Sequence, residues 1–288
     1  MAATNPPGWI ELIGRPQLSM AMRKLVTLRA PGPILKTAIR TFCHFYAVEK
    51  DQAEREVTDY ETFQAFFTRK LKPGLRPFND AKDVLPSPSD GTLSAFGPLG
   101  SGTLVQAKGV EYSLDALLGS GEDADPYRGG SYAVVYLAPH NYHRVHTPWN
   151  GKLTHWRYVP GALYPVNSMG LKHVPGLFAR NERIIGHFDS EFGKAALIMV
   201  GATFVGHMTV GFTDLKANEA QPASGRVDVN PPLDSVRGDE FGVFEMGSTV
   251  VLVFERPDLK PALPLDSSIR AGQAALRIVA KGEAEDVS

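Results

Sequence analysis

Three histidines recur at intervals of three in the segment YLAPHNYHRVHTPWNG, at His140, His143 and His146. An imidazole titrates near neutral pH, so histidines can act as general acids and bases or can bind metal ions. Three imidazoles could hold a zinc ion that keeps an open coordination position. Alternatively, one or two of them could transfer protons during catalysis. The spacing by itself favours neither chemistry.

A serine and an aspartate in other segments could work with such a histidine. Ser248 follows Gly247 in FEMGSTVVLVFE, where Gly-Ser resembles a hairpin turn between two apolar strands. Asp90 lies in SPSDGTL, where an isolated Asp-Gly pair is most simply a turn. A serine nucleophile needs a base within hydrogen-bond reach and a carboxylate that orients the base. Asp90, a histidine of the cluster and Ser248 supply these types, although most chains of this length contain such a trio.

The elements that must position these residues fall into two regions. Residues 1–40 carry six basic residues against one acid, Glu11, interleaved with apolar and aromatic side chains. These spacings predict short helices interrupted at Pro16 and at residues 31–33. A basic amphipathic segment of this kind can lie on an anionic membrane. It can equally dock as a helical hairpin on the protein's own core, and the segment alone does not decide between the two.

A further helix is predicted from Thr58, where Thr58 and Glu61 have the spacing of a capping box. After Pro77 the sequence changes to short β-type runs separated by Gly, Pro and Asn or Asp turns. One helix is expected within this β region, at residues 114–118. The predicted fold class is therefore α+β: a helical N-terminal arm, residues 1–76, followed by a mostly antiparallel β-rich catalytic domain, residues 77–288.

The composition excludes several classes of protein. The chain has 43% hydrophobic residues, 21% charged residues and a net charge of −1, so no nucleic-acid partner is expected. Cys43 is the single cysteine, which excludes an internal disulfide framework. The first residues lack the pattern of a signal peptide. The longest uncharged apolar run, residues 195–206, is too short to cross a bilayer and predicts a buried strand pair.

Taken together and in order, several motifs resemble the bacterial phosphatidylserine decarboxylase proenzymes. The motifs are SPSDGTL, QAKGVEYSLDALLG, YLAPHNYHRVHTPWNG, LFARNERI with the following VGATFVG, and FEMGST. The resemblance extends from about residue 60 to about residue 276, whereas the N-terminal arm is similar in character more than in sequence. Several motifs in one order make a far more specific match than any one of them.

The resemblance implies a self-processing enzyme that makes its cofactor from its own chain. The bond between Gly247 and Ser248 would be cut, giving a β subunit of residues 1–247 and an α subunit of residues 248–288. Ser248 would become an N-terminal pyruvoyl group. By the family pattern His146 would be the base that activates Ser248, and Asp90 would orient it, which completes a triad of the serine-protease type.

The same resemblance implies the reaction and its setting. The pyruvoyl group would form a Schiff base with phosphatidylserine and accept electrons as CO₂ leaves, which yields phosphatidylethanolamine. His143 would be the acid that protonates the product carbon. The enzyme would work as a peripheral protein on the cytoplasmic face of the cell membrane, with an anionic membrane surface as partner and the basic arm as anchor. A homodimer of αβ units is expected by analogy with the family.

Two other classes of function stay open at this point. A zinc hydrolase would need all three histidines, but His140 falls outside the family motif and is expected to be structural or at the surface, so no metal is expected. A membrane-binding β module without catalysis would retain the motifs but not the processing. Three cations lie in matching segments with nothing to place them at the lipid headgroup: Lys108, Arg180 and Arg183.

Overall fold

The computed structural model describes residues 6–100, 102–106, 110–203, 208–217, 225–245 and 248–279. Its α-helices are α1 Gly8–Ile13, α2 Pro16–Val26, α3 Gly32–Tyr46, α4 Phe63–Phe67, α5 Leu114–Leu118, α6 Gly121–Ala124, α7 Ser168–His173 and α8 Leu177–Arg180. Short 3₁₀ turns occupy Lys50–Gln52, Val57–Asp59 and Asp125–Tyr127.

The strands follow the helical arm. They are β1 Val84–Pro86, β2 Gly91–Pro98, β3 Thr103–Gln106, β4 Val110–Ser113, β5 Ser131–Leu137, β6 Arg144–His146, β7 Gly151–Val159, β8 Arg183–Ser190, β9 Gly193–Val200, β10 Met208–Val210, β11 Thr213–Lys216, β12 Gly225–Ser235, β13 Glu240–Phe244, β14 Ser248–Phe254, β15 Leu259–Pro261, β16 Ser268–Ile269 and β17 Ala274–Ile278.

The predicted α+β class is confirmed, because nearly all pairing between these strands is antiparallel. The largest sheet in the described residues has the strand order β12-β7-β8-β9-β14-β5-β2-β16. Smaller sheets have the orders β11-β10-β13-β6, β1-β17-β15 and β3-β4. Every described residue of β14 is buried, since this run of β-branched and apolar residues lies between β5 and β9.

The helix breaks predicted at the prolines are confirmed. Pro16 occupies the first position of α2, where its missing N–H costs no hydrogen bond, and α3 begins directly after Pro31. The helix predicted at residues 114–118 is also confirmed as α5, whose first turn is capped by Ser113 through the Ala116 N–H at 3.1 Å.

Two local predictions are wrong. The helix predicted from Thr58 begins at Phe63, because Thr62 accepts the Ala65 N–H at 3.0 Å and is the actual cap. Gly247-Ser248 does not close a hairpin, because β13 pairs with β10 and β6 while β14 pairs with β5 and β9. The strands β13 and β14 therefore belong to different sheets. Gly247 itself lies outside the described residues.

The sequence predicts a buried strand pair at residues 195–206, and this prediction is also wrong. Residues 195–200 form the buried part of one strand, β9. No helix among the described residues is long and apolar enough to cross a membrane.

The N-terminal arm docks with one face and exposes another. Leu35 and Ile39 of α3 are buried in a small cluster with Cys43, Val48, Tyr60 and Phe66. Ile10 of α1 is fully buried in the main core, and Gly14 accepts the Leu163 N–H at 2.9 Å. The outer side leaves large apolar side chains in solvent: Trp9, Leu12, Leu25, Leu28, Ile34 and Phe45.

Candidate active site

Ser248 is the first residue of β14, opposite Leu137 of β5. Its side chain is fully buried, and its Oγ has no hydrogen-bond partner in the part of the chain that is described. A buried hydroxyl without a partner loses its interactions with water and gains none in return. A buried hydroxyl of this kind is more typical of a reactive group than of one that stabilises the fold.

His143 contacts the end of β13, the strand that precedes β14 in the sequence. The Phe244 N–H donates to the His143 carbonyl at 3.0 Å, so His143 is tied to the strand that leads to Ser248. Its imidazole is fully buried and stacks on Phe67, with ring centroids 4.1 Å apart. Nε2 contacts the Pro139 carbonyl at 3.4 Å, while Nδ1 has no partner among the described residues.

Burial, together with the nearby Arg69 cation, lowers the pKa of His143 to about 3. The imidazole is therefore neutral at physiological pH in this state of the protein. Negative charge entering the site would favour its protonated form.

His146 ends β6 and has partners at both ring nitrogens. Nδ1 contacts the Gly238 carbonyl at 2.8 Å, which assigns the proton to Nδ1. Nε2 is then the basic nitrogen, and it accepts the Tyr142 hydroxyl at 3.2 Å. Burial also lowers the pKa of His146, so this ring is a neutral base.

Asp90 lies beside this pair without a direct hydrogen bond to His146. Arg76 donates Nε and Nη2 to its two carboxylate oxygens at 2.7 and 2.6 Å, and Ala271 donates its N–H at 2.9 Å. Asp90 and Tyr142 line one cavity of about 290 Å³. The structure thus brings Asp90 close to the Tyr142–His146 pair, while the Gly238 carbonyl orients the His146 ring.

His140 is exposed on the rim of the same cavity, as expected for a residue outside the motif. Within the described residues, His140, His143 and His146 do not form a group whose ligand atoms converge. The geometry offers the zinc hypothesis no support.

A different group, Asp123 with His155 and His187, places possible metal-ligand atoms within 4.8 Å of one another. The two rings stack at 4.1 Å and 8° across β7 and β8, so their in-plane lone pairs run side by side and do not converge on one ion. Asp123 is instead bound by Arg157 at 2.7 Å. Burial would raise the pKa of this carboxyl, but the Arg157 hydrogen bond and the neighbouring histidines hold it below its usual value. We interpret the cluster as a buried polar network.

The described cations among the three noted in the sequence make structural contacts. The buried Arg183 donates to the backbone carbonyls of Ala116, Leu117, Ala179 and Asn181. Arg180 lies over the Tyr164 ring at 5.3 Å. Lys108 lies outside the described residues. No motif in the sequence points to Arg69, a buried guanidinium that lines the Asp90 cavity.

Comparison with known proteins gives one consistent result. The family model described as phosphatidylserine decarboxylase matches residues 63–277. A phosphatidylserine decarboxylase proenzyme of Anaeromyxobacter sp. (strain K) is 41% identical over 272 residues, covering 92% of this chain and 95% of the relative. Proenzymes of the same name from Myxococcus xanthus and Brevibacillus brevis are each 38% identical, covering 92% and 93% of this chain and 95% and 96% of the relatives. With Ser248, His143, His146 and Asp90 all in the matched region, the chain belongs to the phosphatidylserine decarboxylase family.

Proposed function

We propose that this chain is a self-processing proenzyme that converts phosphatidylserine to phosphatidylethanolamine and CO₂, a step of phospholipid synthesis. The observation that carries the proposal is the buried Ser248 Oγ, which has no partner among the described residues and directly follows Gly247 in a family of proenzymes. A structural serine at this position would be expected to donate its hydrogen bond to a neighbour.

In the proposed processing, Ser248 Oγ attacks the Gly247 carbonyl carbon, and the peptide bond becomes an ester as the nitrogen takes a proton. Loss of the Ser248 Cα proton then expels the Gly247 carboxylate. Water completes the conversion and ammonia leaves. His146 Nε2 is the proposed base, since its pKa is low enough to keep a lone pair at neutral pH. Asp90 contributes negative charge near this base, as Glu240 does, and is the proposed third member of the triad.

Ser248 is also a suitable source of a pyruvoyl group. Its buried hydroxyl makes no hydrogen bond among the described residues, so converting it breaks none of these contacts. When present, that group would supply a carbonyl that accepts the electrons left on the substrate carbon when CO₂ departs. The product carbon then needs a proton, and His143 is the proposed donor. The anionic substrate would raise the pKa of the His143 imidazole, which allows it to gain that proton only when substrate is bound.

The proposed place of action is a membrane surface, with the enzyme held peripherally at the cytoplasmic face of the cell membrane. The outer side of the arm supports this, since Leu25, Leu28, Ile34 and Phe45 are each at least 60% exposed. Basic residues lie among them, including Arg29 with 80% of its side chain exposed. Exposed apolar side chains interleaved with cations suit the headgroup region of anionic lipid. A homodimer of αβ units remains part of the proposal.

Denaturing mass spectrometry of the purified protein tests the function. We expect two chains, residues 1–247 and residues 248–288, with the smaller one lacking a free amino terminus. Ser248→Ala should remain a single inactive chain, because no hydroxyl is present to attack Gly247. A wild-type chain that stays intact at 288 residues under all conditions would contradict the proposal.

A further inference from the structure

Arg69 is a buried cation whose donors are mostly unused. The residue is 3% exposed and follows α4, and its guanidinium carbon lies 5.2 Å from the centre of the Phe66 ring. Nη2 donates to the His140 carbonyl at 3.3 Å. The described part of the chain offers Nε and Nη1 no hydrogen-bond partner. A guanidinium has five N–H donors, so most of the binding capacity of Arg69 is free.

Two acids that line the larger cavity with Arg69 are already paired with other cations. Asp90 binds Arg76 at 2.6 Å, and Glu49 binds Arg270 at 2.9 Å. Removing an ion from water is costly unless a partner compensates it. Burial accordingly lowers the pKa of the Arg69 guanidinium. A buried cation with no ion-pair partner in the described part of the chain is suited to bind an anion from outside the chain.

The surroundings of Arg69 can admit that anion. Arg69 lines both the 290 Å³ cavity that contains Asp90 and a neighbouring cavity of about 220 Å³. The second cavity is also lined by Arg55, Lys70 and Arg144, with Glu54 as its acid. Arg69 is also close enough to His143 to lower the pKa of its imidazole. An anion bound there would lie near the proposed proton donor.

We infer that Arg69 binds the phosphodiester of the lipid headgroup through its free Nε and Nη1 donors; this inference rests on the proposed function. The substrate carries two anions, a phosphodiester and a carboxylate. A guanidinium on the carboxylate would stabilise the group that must leave, and so would oppose the reaction. The phosphodiester keeps its charge from substrate to product. The adjacent Nε and Nη1 donors of a guanidinium can bind two phosphate oxygens at the same time.

The direct test measures binding of glycerophosphocholine to the unprocessed Ser248→Ala chain. This probe has the phosphodiester but neither a carboxylate nor a primary amine, so it can bind without any reaction. In the Ser248→Ala background, we expect Arg69→Gln to weaken binding by about 10- to 100-fold, as loss of charged hydrogen bonds implies. The matched control is Lys82→Gln, which removes an exposed cation that lines neither cavity and should change binding less than about twofold.

Kinetics of the processed enzyme give a second readout. An interaction that is equal in the ground state and transition state changes KM and leaves kcat alone. Arg69→Gln should therefore still split into two chains and raise KM for phosphatidylserine by about the same factor. Arg69→Lys, which keeps the charge without the fork, should lie between Arg69→Gln and wild type. It also serves as the test if Arg69→Gln does not fold.

Several outcomes would overturn the inference. These are equal glycerophosphocholine binding with and without Arg69, a fall in kcat at unchanged KM, or Arg69-dependent binding of inorganic phosphate but not of glycerophosphocholine. The last result would point to free phosphate in place of a lipid headgroup. Arg69-dependent glycerophosphocholine binding by a wild-type chain that never splits would support the headgroup site while rejecting the proposed function.

Discussion

At the residue scale, the two motif histidines differ in the nitrogen that is available for chemistry. His146 has its Nδ1 fixed by the Gly238 carbonyl and its Nε2 in contact with the Tyr142 hydroxyl. His143 has an Nδ1 without a partner among the residues that the structure describes, and its ring stacks on Phe67. A basic Nε2 whose partner is an exchangeable hydroxyl suits His146 to the proposed proton abstraction. The enclosed His143 suits a proton transfer from which water is excluded.

This difference predicts opposite defects for two alanine variants. His146→Ala should leave a single unprocessed chain. His143→Ala should still split, but its kcat for phosphatidylserine should fall by about 100-fold or more, the usual contribution of a general acid. Gel analysis of chain splitting and CO₂ release from the same preparations measure the two effects.

His140→Ala is the matched control, since it removes an exposed histidine of the same segment, and it should process and react nearly as wild type does. The two roles would be reversed if His143→Ala blocked splitting while His146→Ala did not.

The sequence predicted the motif residues but not their partners. Ser248, His143, His146 and Asp90 could be proposed from the sequence because each lies in a contiguous motif. The pairing of Asp90 with Arg76, and of the His146 ring with Gly238, depends on contacts between residues 14 and 92 positions apart. Arg69 was missed because a single arginine after an aromatic helix gives no sign that its side chain is buried.

At the element scale, the proline breaks and the helix at residues 114–118 were predicted correctly, whereas the capping box at Thr58 and the strand partners were not. Prolines ended and began the arm helices where predicted, because proline acts on the backbone of its own turn. The apolar runs on either side of Gly247 looked like one hairpin, yet they join different sheets. An apolar run indicates burial on both faces but does not identify the neighbouring strands.

The arm links the membrane proposal to the active site. On its inner side, Phe42 of α3 packs against Phe67 of α4, with ring centroids 6.0 Å apart, and Phe67 stacks on His143. Deleting residues 1–48 would therefore remove Phe42, which supports the Phe67 ring stacked on the proposed acid His143, as well as any membrane contact. Substitutions confined to the exposed side separate the two effects.

We expect a variant with serine at Leu25, Leu28, Ile34 and Phe45 to lose at least about tenfold in partitioning onto anionic vesicles, since each buried methylene contributes about 0.8 kcal/mol. Chain splitting should be unaffected, because these side chains are exposed. Co-sedimentation with phosphatidylglycerol vesicles at low and high salt measures the change.

The matched control replaces four exposed apolar residues outside the arm with serine: Val227, Leu233, Val236 and Leu265. Equal loss of partitioning in both variants, or none in either, would count against the arm as the membrane-binding element.

At the scale of the whole molecule, buried neutral histidines make stability depend on pH. Burial lowers the pKa of both His143 and His187 to about 3, and it lowers the pKa of His146 and His155 as well. In the unfolded chain an imidazole titrates near 6.5. Between these values the unfolded state binds protons that the folded state cannot, so stability is present above pH 6.5 and is lost as pH falls toward 3.

His143 and His187 should each contribute a slope of about 1.4 kcal/mol per pH unit in this window. Replacing His187 by Gln in the Ser248→Ala chain should remove about that much of the slope, because glutamine does not titrate. Urea unfolding at pH 7.5, 6.5, 5.5 and 4.5 measures it, provided the dependence on urea concentration stays constant. The control His44→Gln, which removes an exposed imidazole from α3, should leave the slope unchanged. A stability that is flat between pH 6.5 and 4.5, or that rises on acidification, would mean that these rings accept protons in the folded protein.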